Sequence, residues 1–420
     1  MQSRFSRRVM LQDGLLTVGA QLAVPGIFSA MATAPSAMGA AVQAVTAGKI
    51  LVVVQIAGGL DGLHAVIPYR DPLYPKLRPN LAVDSKQVVP LTNDLGLHTG
   101  LNPLKPLWDA KQMAIIENVG YPQANLSHFQ SMYIWQTLDM SGEQGSSQSG
   151  WLGRYLASVG GNTASPFAGL CEGVEIAPEM MAANAAIAAI GDPAAFTVQG
   201  DRSAPERDDE RTQRLLQFYQ ESGNTRFAPY LGNLAKATVN AAQQFQSAVT
   251  AYQPAATYPQ TALGEGLQLI ATAITQGLPM RVGHVIIGGF DTHVEQKTVL
   301  AGLYPDLAGS IAAFWQDLTA HGVADNVLMM TWSEFGRRVT ENGSAGTDHG
   351  AAAPLFVFGP GVNGGIYGDA PDLKNLDVDH SLVFKTDFRS VYATVLDKWM
   401  GTDANSILGQ KFTPLAFLRG

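Results

Sequence analysis

Six acidic or imidazole residues stand beside apolar runs in this chain, where a parallel sheet would bring them together. Asp61 follows the run KILVVVQIA at 49–57, within GGLDG. Asp291 and His293 follow the run at 281–289, and Glu334 follows the run at 326–332, with Arg337 three residues on. Asp348 and His349 precede the short run at 354–358. Mixed carboxylate and imidazole donors suit hard or borderline divalent ions such as Zn, Mn, Mg or Ca. Such ions polarise ester oxygens, and a pair of them can also supply hydroxide. Arg337 could bind substrate oxygens through its planar fork. Each residue also has a structural reading. Asp61 could be a turn residue and Asp291 an Asx cap. Asp348 and His349 could share a loop hydrogen bond, and Glu334 and Arg337 an ion pair at i, i+3.

Ser127 opens SHFQ before a helical pattern at 127–138. A helix N-terminus favours an alkoxide and the anion it attacks, which makes Ser127 a candidate nucleophile. The same S-x-x-Q pattern is also a capping box, which explains the serine without chemistry. His128 fits a ligand, a base or a surface residue, and His64 is a neighbour of the first tip. His98, His284 and His321 have no motif around them.

The elements that would position these residues alternate. Continuous β-branched runs at 49–57, 113–119, 281–289, 326–332 and 354–358 read as buried strands. Helical spacing marks 102–110, 127–138, 151–159, 298–320 and 387–400. Alternation of this kind predicts an α/β fold, a mainly parallel sheet covered on both faces, with ligands at the carboxyl ends of its strands. Residues 165–200 fit no single pattern, and 203–276 reads as a helical insertion or cap.

The chain has 420 residues, with 27 Lys+Arg against 35 Asp+Glu and a net charge of −8. It has no basic excess to neutralise phosphates, so a nucleic-acid partner is not expected. The single cysteine, Cys171, rules out an internal disulfide or a cysteine zinc site. Arg7-Arg8, a weak apolar stretch and an alanine-rich end predict a twin-arginine export signal over 1–44. Residues 45–420 are then one exported domain, periplasmic or secreted, with the twin-arginine translocase as its partner during export. No run is long enough for a stable membrane span.

Several segments resemble the DUF1501 family: GGLDGLHAVIPY at 58–69, SHFQSMYIWQT at 127–137, GWLGRYL at 150–156 and GGFDTHVEQ at 288–296. SEFGRRVTENGSAGTDHGAAAPLFVFGPGVNGGIYG at 333–368 and TDFRSVYATVLDKWMG at 386–401 complete the set. This family is in turn similar to the alkaline phosphatase and sulfatase superfamily. That resemblance implies a three-layer α/β/α sandwich with metal ligands at strand tips. It also implies an early Asp (Asp61), a Ser nucleophile at a helix start (Ser127) and two Asp/His segments (Asp291 with His293, and Asp348-His349-Gly350). The pattern departs from the superfamily in two places. Asp291 and His293 are two apart rather than four, and Asp348 falls fourteen residues beyond Glu334. The superfamily's late histidine has only His380 as its counterpart.

Two functions follow as expectations. One is a metal-dependent hydrolase of a small anionic phosphate or sulfate ester. The other is a non-catalytic envelope protein for binding or assembly on the same fold. A metal that only ties loops together is a third reading.

Overall fold

The structure is a computed structural model that describes residues 48–160, 165–183, 185, 187–191, 193, 213–214, 217 and 228–419. The export segment expected at 1–44 and nearly all of 203–227 lie outside these residues.

The apolar run near the start becomes strand β1 (Ile50–Ile56), buried at every position. The other strands of the main sheet are β2 (Met113–Gly120), β3 (Gly169–Glu172), β4 (Ile187–Ile190), β5 (Val282–Ile287), β6 (Val327–Trp332), β7 (Ala353–Phe358), β8 (Gly365–Tyr367) and β9 (Thr386–Asp387). They lie in the order β8-β2-β7-β6-β1-β5-β3-β4, with β9 also paired to β2. Strand β1 pairs in parallel with β5 and β6, with Leu51 opposite Val282 and Gln55 opposite Trp332.

Two apolar faces alternate along β1. Val52, Val54 and Ile56 belong to one core cluster, and Leu51 and Val53 to the other. The principal helices are α1 (His128–Thr137), α2 (Trp151–Val159), α3 (Ala228–Ala251), α4 (Ala262–Thr275), α5 (Gln296–Ala320) and α6 (Phe388–Thr394). Helices α3, α4 and α5 cover the first face, for example through Phe245, Leu267, Ile270, Leu307 and Phe314. Helices α1, α2 and α6 cover the second through Trp135, Trp151, Leu156 and Tyr392. This is a three-layer α/β fold. Helix α4 packs against β5 and α5, so this part of 203–276 belongs to the layer over the sheet. Among the described residues no helix is long and apolar enough to cross a membrane.

The sheet is mainly parallel, as expected, with one strand reversed within it. Strand β7 runs antiparallel to both β6 and β2. No helix separates β6 from β7, so the chain has no crossover that would return it parallel. Instead it turns back through a two-stranded ribbon, Gly336–Arg337 against His349–Gly350. The start of β7 therefore lies at the same edge of the sheet as the ends of β1, β5 and β6. Strands β3 and β4, inside the stretch that fitted no pattern, extend the sheet on the other side.

Strand β2 bulges where it meets β7. The register shifts between Ala353 opposite Val119 and Leu355 opposite Ile116, which leaves Glu117 and Asn118 across from Pro354. Proline has no N–H to offer a ladder, and the bulge absorbs that gap. Glu117 is buried there and its Oε1 has no partner. Burial alone pushes its pKa from 4.5 up to about 8. Because the folded value is the higher one, the folded chain keeps this proton while the unfolded chain loses it. Stability is therefore greatest below about 4.5 and falls as pH rises towards 8. Glu117→Gln is expected to remove this loss, gaining roughly 2–3 kcal/mol over the parent at pH 7 and nothing at pH 4. Urea unfolding of both proteins at the two pH values checks it.

Candidate metal centre

Four connections meet at the shared edge of the sheet. After β1 the chain turns sharply at Gly58, whose φ of +118° is open to glycine. A Cβ there would stand 2.4 Å from the backbone N of Asp291. The turn therefore lets the loop after β5 close over the loop after β1. Gly346 does the same for the ribbon, since a Cβ there would lie 2.2 Å from the backbone of His293. Helix α1 enters the edge with Ser127 as N-cap and His128 as its first residue. The loop before it is tied by Tyr121, whose hydroxyl accepts from the N–H of Asn125 at 2.9 Å and bonds Ser131 Oγ at 2.8 Å.

Three imidazoles converge on Asp291. His349 Nε2 lies 3.1 Å from Asp291 Oδ1, and so does His293 Nε2. His128 Nε2 lies 3.4 Å from Asp291 Oδ2. His293 Nε2 and His349 Nε2 are 3.0 Å apart. Ligand atoms of His128, Asp291 and His349 all fall within 4.8 Å of one another, and these three residues could hold a metal ion.

Each ring is fixed from behind through its other nitrogen. His128 Nδ1 faces Glu334 Oε1 at 2.7 Å, His293 Nδ1 faces Asp348 Oδ1 at 3.1 Å, and His349 Nδ1 faces the Leu126 carbonyl at 2.8 Å. These partners are acceptors, so each Nδ1 donates to the group behind it and each Nε2 is turned towards the centre. His128 Nε2 is buried without a hydrogen-bond partner. Burial is the largest influence on His349 and holds its pKa below 6.5, against hydrogen bonds to Asp291 and Leu126 that act to raise it. The ring is therefore neutral near pH 7. Three imidazole nitrogens and a carboxylate thus face one another across a short gap. Asp291 Oδ1, His293 Nε2 and His349 Nε2 stand 3.0–3.1 Å apart, close to the edge of about 3.3 Å of a tetrahedron with bonds of about 2.0–2.1 Å. The residues fit a divalent ion of the zinc type.

Asp291 is ionised at any working pH. Partial burial acts to raise its pKa, but hydrogen bonds from Arg337 and His349 and the charge of Arg337 outweigh it and hold the group at about 2. Asp348 is also held below its ordinary range, chiefly by hydrogen bonding to Asn342 and His293.

The residues singled out from sequence divide into three groups. Asp291, His293 and His349 meet at the centre. Glu334 and Asp348, expected as ligands, stand one step behind it. Glu334 is wholly buried and accepts from His128 and from the Gly58 N–H at 2.8 Å. Asp61 and Arg337 are placed otherwise. Asp61 forms a buried ion pair with Arg78 at 2.7 Å, accepts from Gln296 Nε2 at 2.6 Å and caps the short helix that follows it. Its carboxylate is closed to an ion. Arg337 is 0% exposed and donates to the carbonyls of Gly58, Gly59, Thr347 and Phe290 as well as to Asp291 at 2.7 Å. It has no face open to a substrate. The i, i+3 pair between Glu334 and Arg337 does not form.

Ser127 is exposed and its hydroxyl makes no cap bond. Gln130, the other half of the capping box, accepts from Asn125 instead. The sequence left His128 open, and the structure places it at the centre; its only signal was its position beside a helix start. Arg78 and Gln296 carried no signal. The other histidines lie elsewhere. His64 stacks on His98 at 4.8 Å, His284 pairs with Glu179 at 2.7 Å, and His321 bonds the Asp317 carbonyl at the end of α5. His380, the late histidine, sits in an exposed turn with φ of +59°.

Two crystal structures are similar to this chain at low identity. The PsFucS1 sulfatase from Pseudoalteromonas sp. is 12% identical, with 88% of this chain and 70% of that chain covered and a TM-score of 0.39. Ps i-CgsB in complex with k-i-k-neocarrahexaose is also 12% identical, with 87% and 73% covered and a TM-score of 0.39. None of the curated proteins matches the chain. The family described as "Protein of unknown function (DUF1501)" matches residues 110–411, which include every residue of the His128, Asp291, His293 and His349 set. The chain belongs to the DUF1501 family.

Proposed function

We propose that the chain is an exported metal-dependent hydrolase of small phosphate or sulfate esters. The observation that carries this reading is the convergence of three imidazole Nε2 atoms on the Asp291 carboxylate. His128, Asp291, His293 and His349 would hold the ion. When bound, a divalent ion in such a site polarises an ester oxygen and neutralises charge developing on it.

The chain's own residues supply the rest. Glu334, Asp348 and the Leu126 carbonyl hold the three Nδ1 protons and so aim the rings. Arg337 holds Asp291 ionised and fixed. Ser127, exposed and free of a capping role beside His128, is the proposed attacking oxygen. Twin-arginine export over 1–44 remains part of the proposal, with the translocase as transient partner.

The test uses the folded chain loaded with Zn or Mn and offered p-nitrophenyl phosphate and p-nitrophenyl sulfate. Turnover of one ester is expected, falling at least about 100-fold in Ser127→Ala while the metal content stays unchanged. A metal-loaded protein that turns over neither ester would sink the hydrolase and leave the envelope-binding reading. One observation favours that second reading. The arginine expected to meet substrate oxygens, Arg337, is buried and fully engaged.

A further inference from the structure

Charge at the strand tips limits how many ions the centre can take. Four carboxylates stand in it or behind it: Asp61, Asp291, Glu334 and Asp348. Two of them already have a buried guanidinium as partner, Arg78 for Asp61 and Arg337 for Asp291, at 2.7 Å in both cases. A third cation, Arg338, acts on Asp348 from further off. One divalent ion balances this set to within a single charge. Two would leave it strongly cationic in a partly buried place, which is costly.

The geometry agrees with the charge. A second ion beside the first would need Asp291 as a shared ligand, and Oδ1 of that carboxylate already accepts from the guanidinium of Arg337. Arg337 cannot swing away. Its Nε and Nη1 donate at 2.9 Å to the carbonyls of Gly59 and Thr347, and its Nη2 donates to those of Gly58 and Phe290. The other carboxylate at a parallel strand tip, Asp61, is sealed by Arg78 and Gln296. Glu334 Oε1 is taken by His128 and the Gly58 N–H.

We infer that the centre takes one divalent ion per chain and that Arg337 is the fixed cation that excludes a second. This rests on the metal-centre reading above. Arg337 is then a positioning residue that sets the metal count, and the hydrolysis proposed here runs with one ion and a neighbouring guanidinium.

The experiment titrates metal-free, folded full-length protein with Zn ions and counts those retained by native mass spectrometry. One equivalent at saturation is expected. Two equivalents in the parent would overturn the inference and keep the metal centre; none would overturn the metal centre itself. Arg337→Gln, which removes the charge, is expected to retain a second equivalent, and Arg337→Lys, which keeps it, to retain one. A folded Arg337→Gln protein that still holds a single ion would show that Arg337 does not set the count. If that variant does not fold, the count in the parent decides.

Discussion

His349→Ala is expected to weaken binding of the divalent ion by about two to three powers of ten. Structural zinc sites are worth about 10–16 kcal/mol, or roughly 3–4 kcal/mol for each of four ligands. His349 is the ring that touches both Asp291 and His293, so its loss opens the set at its middle. Its Nδ1 anchor is a backbone carbonyl, which the substitution leaves in place. Competition with a chelator of known affinity measures the change. Glu334→Gln makes an informative comparison. Glu334 aims His128 from behind, and residues in that supporting position alter affinity by about 10–100-fold. If the two variants lost affinity equally, Glu334 would be a ligand and the assignment of the rings would be wrong.

Arg78→Met is expected to destabilise the fold by about 3–5 kcal/mol, because it leaves the Asp61 carboxylate buried and unpaired. Arg78 and Asp61 have side chains 0% and 1% exposed. Arg78 also donates to the carbonyls of Val339 at 2.7 Å and Arg338 at 2.8 Å, so it ties the ribbon to the loop after β1. Adding Asp61→Asn to Arg78→Met should recover a large part of the loss, since no buried charge then remains. The pH dependence has a definite sign. Burial acts to raise the pKa of Asp61, but the charge of Arg78, the nearby His64 and the hydrogen bonds from Arg78 and Gln296 together outweigh it and hold the group below 3.8. The pair therefore stabilises at neutral pH, and its contribution is lost as pH falls below 3.8 through the folded value. Chemical denaturation at pH 7 and at acid pH checks both statements. Equal stability of parent and Arg78→Met at pH 7 would remove the argument.

Much of the architecture was legible because buried strands announce themselves. KILVVVQIA and MAIIENV are dominated by apolar residues, and they became β1 and β2 within a residue or two. Strands β3 and β4 were not legible, because GLCE and IAAI are short and lie among small residues that suit either state. The direction of β7 was not legible either. Periodicity shows that a strand is buried but not which way it runs. That gap explains the departure in spacing noted for Asp348. The residue lies fourteen positions past Glu334 and still reaches the same edge, because the chain comes back to that edge before β7 begins.

The site was legible by residue type and less so by role. A carboxylate at a strand tip looks the same in sequence whether its partner is an ion or a guanidinium. Only the fold showed that Arg78, seventeen residues from Asp61, fills the place of the ion there. Glu334 and Asp348, expected as ligands, lie beside the centre, with a histidine between each of them and the open space.

The reversed strand β7 also sets an order of assembly. Glu334, Arg337, Asp348 and His349 share one connection between neighbouring strands, and closing so short a loop costs little entropy. His128 is 206 residues from Glu334, and His293 is 55 from Asp348. Those partners arrive only with the long-range parallel pairing, which is the slow part of folding such a sheet. One of the four proposed ligands, His349, thus forms with a local hairpin, together with the carboxylates that aim two others, while the remaining three wait for the finished sheet. An ion bound here rewards only the completed edge. It would slow unfolding far more than it speeds folding, and so act as a latch fitted after the fold is built.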